Sequence, residues 1–177
     1  LILRTLAEAV HAIRDMVVRG APAIGITAAY AVVLAARARY SESPGNWQAA
    51  LAPDLHRLAE ARPTAVNLRW AVERMRAFSA KLSGDPLPAL LAEAQRIHAE
   101  DIAANHRMGA LGAALIEPGS HVLTHCNTGA LATGGRAGAA PVVSAWLRDR
   151  HRDRSRAPCI ISARSAAMCS GMAASPM

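Results

Sequence analysis

The order of the hydrophobic patterns along the sequence is the feature that most constrains its fold. A long helical region leads into one strand and then into a stretch without regular periodicity. Apolar residues recur every three or four positions up to about residue 116, between breaks that contain proline or glycine. Residues 121–126 form a short apolar run, and the polar turn 127–129 follows it. This order predicts an α/β fold class, in which an all-helical domain precedes the first strand of a parallel-sheet domain.

The breaks predict five helices. Pro22 is placed to open the second helix, because proline fits the first turn of a helix, and Thr64 is a candidate N-cap of the fourth. Pro53 conflicts with a regular first turn of the third helix. Asp85 is expected to cap the fifth helix. The predicted helices span residues 5–17, 22–39, 47–60, 64–82 and 87–116.

The pattern is lost after residue 134. The following residues show neither a period of 2 nor one of 3.6, and they carry seven arginines against Asp149 and Asp153. We therefore predict a helical domain over residues 1–117, the first strand and turn of a sheet domain over 118–134, and an aberrant, disordered tail over 135–177. Because the helical pattern begins close to Leu1, we expect the sequence to lack its natural start.

Composition and charge exclude several classes of protein. The chain is 52% hydrophobic but only 3% aromatic, which favours closely packed helices over a β-sandwich. Most of the formal net charge of +7 lies in the tail rather than on a basic face with stacking aromatics, so no nucleic-acid partner is predicted. The uncharged stretch 20–36 is interpreted as a buried helix rather than a membrane span, because its alanines contribute little transfer free energy.

The cysteines indicate a reducing compartment. There are three of them, Cys126, Cys159 and Cys169, and no CxxC pair occurs. An odd number without such a pair argues against a disulfide framework and against a structural zinc site. No signal-peptide pattern is present, so we expect a cytoplasmic protein.

The histidines do not predict a metal centre. His98 and Asp101 lie one helical turn apart, and His121 and His125 share a face of the predicted strand. Neither pair has a third ligand in the sequence, and no HExxH motif occurs. We predict no metal site.

Cys126 is the sharpest candidate for chemistry. It lies where a buried strand gives way to a glycine-containing turn, which is where open α/β sheets place their ligand crevice. Backbone N–H groups of the turn would lower the pKa of the thiol if they open the next helix. The alternative is an inert buried cysteine, which is common for this residue type.

Arg19 and Arg62 both occupy breaks between predicted helices. An arginine beside glycine and a helix N-terminus is well placed to bind phosphate, because the guanidinium and the backbone amides all donate hydrogen bonds. The alternative is that each arginine binds carbonyl groups at the end of the preceding helix. Local pattern alone favours this alternative.

Three sequence blocks resemble one known family. They are residues 16–25 (MVVRGAPAIG), 62–68 (RPTAVNL) and 124–133 (THCNTGALAT), in this order. Together they resemble methylthioribose-1-phosphate isomerases, a family related to the regulatory subunits of translation initiation factor 2B. The resemblance covers about residues 4–134. It implies a small helical N-terminal domain followed by a Rossmann-like domain, usually in a homodimer.

The resemblance also implies a reaction and residues for it. The family converts 5-methylthioribose 1-phosphate to 5-methylthioribulose 1-phosphate in methionine salvage, without a metal or nucleotide cofactor. Arg19, Gly20 and Ala21 match its first substrate-binding segment, and Arg62 matches its second. Cys126 matches the cysteine that works with an aspartate further along the chain.

The sequence departs from the family at both ends of the resemblance. The strands before the family's first helix are absent, and after Thr133 the sequence reads GGRAGAA instead of Gly-Thr-Ala-Leu-Gly. No later segment resembles the family's aspartate-containing loop, and Asp149 and Asp153 lie in an arginine-rich run. We hypothesise that the reading frame changes near codon 134, and we expect this chain to be an incomplete, inactive isomerase.

Two other functions remain open on the sequence. One is a related isomerase that acts on ribose 1,5-bisphosphate or 5-deoxyribose 1-phosphate. The other is a non-catalytic regulatory subunit of the initiation factor 2B type, against which the block around Cys126 argues. Substrate competition would separate the first from the predicted isomerase, and the absence of turnover would indicate the second.

Overall fold

The computed structural model of the chain describes residues 2–117 and 133–134. The regular elements within these residues are five α-helices. They are α1 (Leu6–Arg14), α2 (Ala21–Glu42), α3 (Trp47–Ala59), α4 (Val66–Ser79) and α5 (Leu87–Ala113). The predicted helical N-terminal domain is confirmed, whereas the predicted strand 121–126 and the tail 135–177 lie outside the described residues.

The described residues divide into two units. The first contains residues 2–102 together with 133–134, and the second contains residues 103–117. The buried apolar core belongs to the first unit, where α1 to α4 pack with the first part of α5. The candidate site described below also lies in the first unit.

Helix α2 is the centre of the core. It packs against α1, α3 and α4, and nine of its 22 residues are buried. By length and composition alone it is also a candidate membrane span, a criterion that core helices of soluble proteins meet as well. Its packing against three helices supports the predicted buried helix. The largest buried side chains from the other helices are Ile13, Leu51, Leu58, Leu68, Met75 and Leu90.

Helix α1 begins as the sequence predicts and ends earlier. The Thr5 hydroxyl accepts a hydrogen bond from the Glu8 amide at 3.2 Å, which is the usual role of an N-cap threonine. The chain leaves the helix after Arg14, and Met16 adopts the left-handed conformation with φ 59°. The prediction that the helix extends to residue 17 is therefore wrong, because apolar periodicity does not report a change of backbone conformation.

Helices α3 and α4 show two differences from the prediction. Pro53 lies inside α3 without interrupting it, and the carbonyl group that loses its partner belongs to Ala49, which is exposed and can bind water. Helix α4 begins at Val66, so the N-cap is Ala65 and not Thr64. By contrast, the predicted cap of α5 is confirmed, because the Asp85 carboxylate accepts from the Leu87 amide at 2.9 Å.

Ion pairs connect successive helices around the core. Arg39 of α2 donates from Nε to the Asp54 carboxylate of α3 at 2.7 Å. Arg74 of α4 donates from Nε to Glu93 of α5 at 2.7 Å and from Nη1 to Glu100 at 2.6 Å. Because each pair links different helices, these charges help to set how the helices are arranged.

Acid should remove part of the contribution of Glu100 to stability. The hydrogen bonds from Arg74 hold the pKa of Glu100 below its ordinary value of 4.5. A carboxyl group whose pKa is lower in the folded state stabilises the fold above its unfolded-state pKa and loses that effect as the pH falls through its folded-state pKa. Glu100 is 52% exposed, so we expect a contribution of less than about 1 kcal/mol.

Urea unfolding of the natural chain and of Glu100→Gln between pH 6 and pH 3 measures this effect. The difference in free energy of unfolding between the two should shrink as the pH falls through the folded-state pKa. A difference that stays constant over this range would contradict the prediction. Glu60→Gln is a matched control, since Glu60 is also exposed and makes no side-chain ion pair with a described residue.

Candidate phosphate site at two helix N-termini

The first predicted segment, Arg19 to Ala21, forms the start of α2. Gly20 is the N-cap and has φ 91°, a conformation that glycine adopts without strain. Pro22 follows in the first turn, as predicted, and the first helical hydrogen bond runs from the Ile24 amide to the Gly20 carbonyl at 3.0 Å. The N–H groups of Ala21 and Ala23 therefore have no acceptor within the helix.

The second predicted segment, around Arg62, lies just before the start of α4. The chain turns between Arg62 and Ala65, whose amide donates to the Arg62 carbonyl at 2.9 Å. Ala65 is the N-cap and its carbonyl accepts from the Leu68 amide at 3.0 Å. The N–H groups of Val66 and Asn67 are left without an acceptor within the helix.

The structure brings these two segments together. Gly25 of α2 lies against Asn67 of α4, so closely that a Cβ atom built on Gly25 would be 3.0 Å from the Asn67 carbonyl oxygen. Gly25 follows the first turn of α2, and Asn67 belongs to the first turn of α4. The N-terminal turns of both helices are therefore neighbours.

Both helix starts lack the features that normally neutralise a helix N-terminus. Neither N-cap supplies a side-chain hydrogen bond, and neither first turn contains an acidic residue. Helix α1 has both features, in Thr5 and Glu8. Because the N-terminal end of a helix carries a partial positive charge, two such uncapped ends side by side favour an anion.

The two arginines are uncommitted among the described residues. Arg19 is exposed and Arg62 is half-buried. Neither guanidinium makes a hydrogen bond or ion pair with any residue in 2–117 or 133–134. The alternative that they bind carbonyl groups of the preceding helices is therefore not seen in the described part of the chain.

A second cluster, which the sequence analysis did not predict as a unit, surrounds Gly134. His98 and Asp101, one turn apart on α5, contact the carbonyl oxygen and the amide of Gly134 respectively. Tyr30 of α2 lies 3.4 Å from the other ring nitrogen of His98. The sequence shows the spacing of His98 and Asp101, but only the structure shows that both contact the backbone of the same residue, Gly134.

The remaining predictions for the site concern residues outside this part of the chain. Cys126, His121 and His125 lie outside the described residues. Within the described residues, no group of three or more histidine, cysteine, aspartate or glutamate side chains could hold a metal ion. The described part of the candidate site is therefore one of arginines and backbone amides.

Comparison with known proteins identifies the family. The initiation factor 2 subunit family matches residues 17–171. The chain belongs to this family. The matched region begins one residue inside the first of the three blocks that carry the resemblance, includes the other two, and extends past residue 133, where the last of these blocks ends.

Several relatives of the chain are named methylthioribose-1-phosphate isomerase. The chain is 58% identical over 148 residues to the protein from Methylococcus capsulatus, which covers 83% of this chain and 42% of the relative. It is 61% identical over 141 residues to the protein from Alkalilimnicola ehrlichii, which covers 79% of this chain and 41% of the relative. The chain thus spans about two fifths of the length of these relatives.

Two solved structures resemble the family member in three dimensions. The initiation factor eIF-2B subunit delta from A. fulgidus is 31% identical and superimposes with a TM-score of 0.74 over 97% of this chain and 58% of its own. The 5-methylthioribose 1-phosphate isomerase from Pyrococcus horikoshii OT3 is 37% identical, with a TM-score of 0.71 over 85% of this chain and 42% of its own. One structural neighbour is thus named as an enzyme and the other as a translation factor subunit.

Proposed function

We propose that the protein is an isomerase that converts 5-methylthioribose 1-phosphate to 5-methylthioribulose 1-phosphate in methionine salvage. The observation that carries the proposal is the pair of adjacent N-termini of α2 and α4, which lack side-chain caps; the arginine beside each makes no hydrogen bond or ion pair within residues 2–117 and 133–134. This arrangement is suited to the phosphate group of the substrate. The identities of 58% and 61% to relatives that carry this name support the proposal.

In the proposed site, the described residues bind the substrate through its phosphate. Arg19 and Arg62 supply charge-assisted hydrogen bonds, and the amides of Ala21 and Ala23 add donors that are fixed by the helix. Gly20 enters α2 with φ 91°, a backbone conformation that glycine adopts without strain. Binding the non-reacting phosphate in this way orients the sugar for reaction at C1 and C2.

The proposed reaction moves hydrogen from C2 to C1 of the sugar. C2 is oxidised and C1 is reduced, so the reaction has no net oxidant or reductant and requires no nucleotide cofactor. The phosphate on the C1 oxygen prevents the ring from opening as a free hemiacetal does, so an acid must assist ring opening. Cys126, with an aspartate of the kind that the family carries, is proposed to move these protons.

We also propose the remainder of the architecture. On the resemblance, we propose a Rossmann-like sheet domain whose first strand and turn span residues 118–134. The resemblance supports a homodimer. The odd number of cysteines supports a cytoplasmic location. Light scattering of the purified protein at several concentrations tests the dimer.

Phosphorus NMR tests the proposed reaction, because an anomeric phosphate ester and a primary phosphate ester give separate signals. The 177-residue chain is expected to bind the sugar phosphate without converting it, since no sequence segment after residue 134 resembles the family's aspartate-containing loop. Conversion above a Cys126→Ala control would contradict that expectation and support the isomerase directly. Failure to bind would contradict the proposed substrate.

Sequencing of the coding DNA across codons 125–180 tests the frame change. If another frame restores Gly-Thr-Ala-Leu-Gly and a later aspartate, the product of that frame should convert the sugar phosphate and lose this activity on Cys126→Ala. A restored product without activity would overturn the isomerase proposal. If no frame restores these features, residues 135–177 are the natural sequence, and the catalytic role of this chain is withdrawn.

Each arginine should contribute measurably to phosphate binding. We expect Arg19→Gln and Arg62→Gln each to weaken binding of 5-methylthioribose 1-phosphate about tenfold, because a charge-assisted hydrogen bond is lost. Isothermal titration calorimetry measures the dissociation constants. Arg37→Gln is the matched control, since Arg37 is exposed near the other end of α2. Equal weakening by the control would show a general charge effect instead of a site.

The non-catalytic regulatory subunit is the second candidate function. The superposition on initiation factor eIF-2B subunit delta over 97% of this chain favours it. The 31% identity to that protein is, however, well below the identity to the isomerase-named relatives. Binding of the sugar phosphate with Arg19-dependent affinity would support the isomerase, and its absence would favour the regulatory subunit.

A further inference from the structure

Asn67 lies in the first turn of α4, on the side that faces α2. A Cβ atom built on Gly25 would be 3.4 Å from Asn67 Cβ, so the Asn67 side chain starts at the contact between the two helices. Because residue 25 is glycine, no side chain at that position lies between Asn67 and the backbone of α2. The asparagine therefore belongs to the surface that α2 and α4 share near their starts.

Helices α2 and α4 run in the same direction. Gln48, in the first turn of α3, donates from Nε2 to the carbonyl oxygens of Ser79 and Leu82 at 3.0 Å each. Ser79 is the last residue of α4, and only the short turn 43–46 separates the end of α2 from the start of α3. The C-terminal ends of α2 and α4 therefore lie at the same end of the first unit, and their neighbouring N-termini lie at the other.

The Asn67 side chain points toward these N-termini. In an α-helix the bond from Cα to Cβ tilts toward the N-terminal end. Asn67 is the second residue of α4, so its side chain extends toward the N–H groups that have no acceptor within the helix. Ala21 lies four residues before Gly25, which is about 6 Å along α2. The Asn67 amide is thus directed at the region where the two helix starts meet.

The Asn67 amide is also available for a ligand. It makes no hydrogen bond with any residue in 2–117 or 133–134. The residue is half-buried, and within the described part of the chain no fully buried side-chain nitrogen or oxygen lacks a partner, so this amide is accessible. An aspartate in the first turn would stabilise the helix but repel an anion, whereas an asparagine amide is neutral and has two N–H donors.

We infer that Asn67 is a further phosphate-binding residue, whose side-chain Nδ2 donates to a phosphate oxygen of the sugar phosphate. Arg19 and Arg62 supply charge to the proposed site, and Asn67 adds a neutral donor whose position is fixed by the contact of α4 with Gly25. The block 62–68 then contributes two side chains to the site. This inference deepens the proposed function and rests on it for the identity of the sugar phosphate.

Two substitutions separate the hydrogen bond from the charge. Asn67→Ala removes the donor, and we expect it to weaken binding of both 5-methylthioribose 1-phosphate and inorganic phosphate about tenfold. Asn67→Asp keeps the shape but replaces the donor with a negative charge, and we expect it to weaken both at least about thirtyfold. Isothermal titration calorimetry of the 177-residue chain measures the dissociation constants.

Asn46 provides the matched controls. It is the exposed N-cap of α3, and its side chain makes no capping hydrogen bond. Asn46→Ala and Asn46→Asp should leave both dissociation constants within about twofold of those of the natural chain. Asn67→Asp should keep or raise the melting temperature, because a carboxylate is favourable in the first turn of a helix. A merely structural role of Asn67 would instead tie any loss of binding to a loss of stability.

The outcomes separate the role of Asn67 from folding and from the proposed function. Unchanged affinities in Asn67→Ala would overturn the inference whatever Asn67→Asp does, because an introduced charge repels an anion without contact. Equal weakening by the Asn46 variants would overturn it too. If Asn67→Ala does not fold, Asn67→Leu, which is close to asparagine in size, is judged by the same criteria. A natural chain that binds inorganic phosphate but not the sugar phosphate would contradict the proposed function alone, and the inorganic phosphate measurements would still decide the role of Asn67. Binding of neither would overturn both.

Discussion

We expect Arg74→Met to lower the free energy of unfolding by about 3 kcal/mol, because it leaves a buried carboxylate short of its main partner. Glu93 is only 3% exposed, and Arg74 Nε donates to it at 2.7 Å. Arg74 also binds Glu100 and stacks over the Trp70 ring at 5.4 Å from its centre. The remaining partner of Glu93, Arg96, is 60% exposed and offsets only part of the loss.

Urea unfolding followed by circular dichroism measures this change. Arg76→Met is the matched control on the same helix, because Arg76 and its partner Glu73 are both about half exposed. We expect this control to lie within about 0.5 kcal/mol of the natural chain. The double variant Arg74→Met/Glu93→Met should recover most of the stability, since two apolar side chains need no charge partner. Equal losses from Arg74→Met and Arg76→Met would contradict the prediction.

The ion pairs and the helices differ in how far the sequence can predict them. The helices follow from local signals, such as the N-cap Thr5 and the proline-containing break at Pro22, and these signals act within a few residues. The pairing of Arg74 with Glu93 joins two helices and depends on how they pack, so no local pattern indicates it. Likewise, α4 begins at Val66, so its N-cap is Ala65 rather than Thr64, one residue later than the side-chain preference suggests.

In the candidate site, too, the sequence predicts the local features but not the contacts between helices. The sequence places Arg19 and Arg62 correctly at breaks before helices, and the resemblance assigns them to the substrate. It does not show that the starts of α2 and α4 are neighbours, because this depends on the contact between Gly25 and Asn67. His98 and Asp101 are visible as a pair in the sequence, but their shared partner, Gly134, lies more than thirty residues away.

The contact between Gly25 and Asn67 predicts a second large loss of stability, on substitution of Gly25. Valine at residue 25 adds two methyl groups beyond a Cβ that already lies 3.0 Å from a backbone oxygen, and the Asn67 carbonyl cannot rotate away as a side chain could. We expect Gly25→Val to lower the free energy of unfolding by about 2 kcal/mol. Gly25→Ala should come close to zero, because the helix propensity gained over glycine, about 1 kcal/mol, opposes the smaller clash.

Gly25→Val should also weaken phosphate binding, since separating α2 from α4 moves their N-termini apart. Urea unfolding and calorimetry with 5-methylthioribose 1-phosphate measure the two effects on the same sample. Gly45→Val is the control, because a Cβ atom at Gly45 meets nothing within 4 Å. Loss of stability with unchanged phosphate affinity would mean that the closeness of the two helix starts holds the core together but does not form the site.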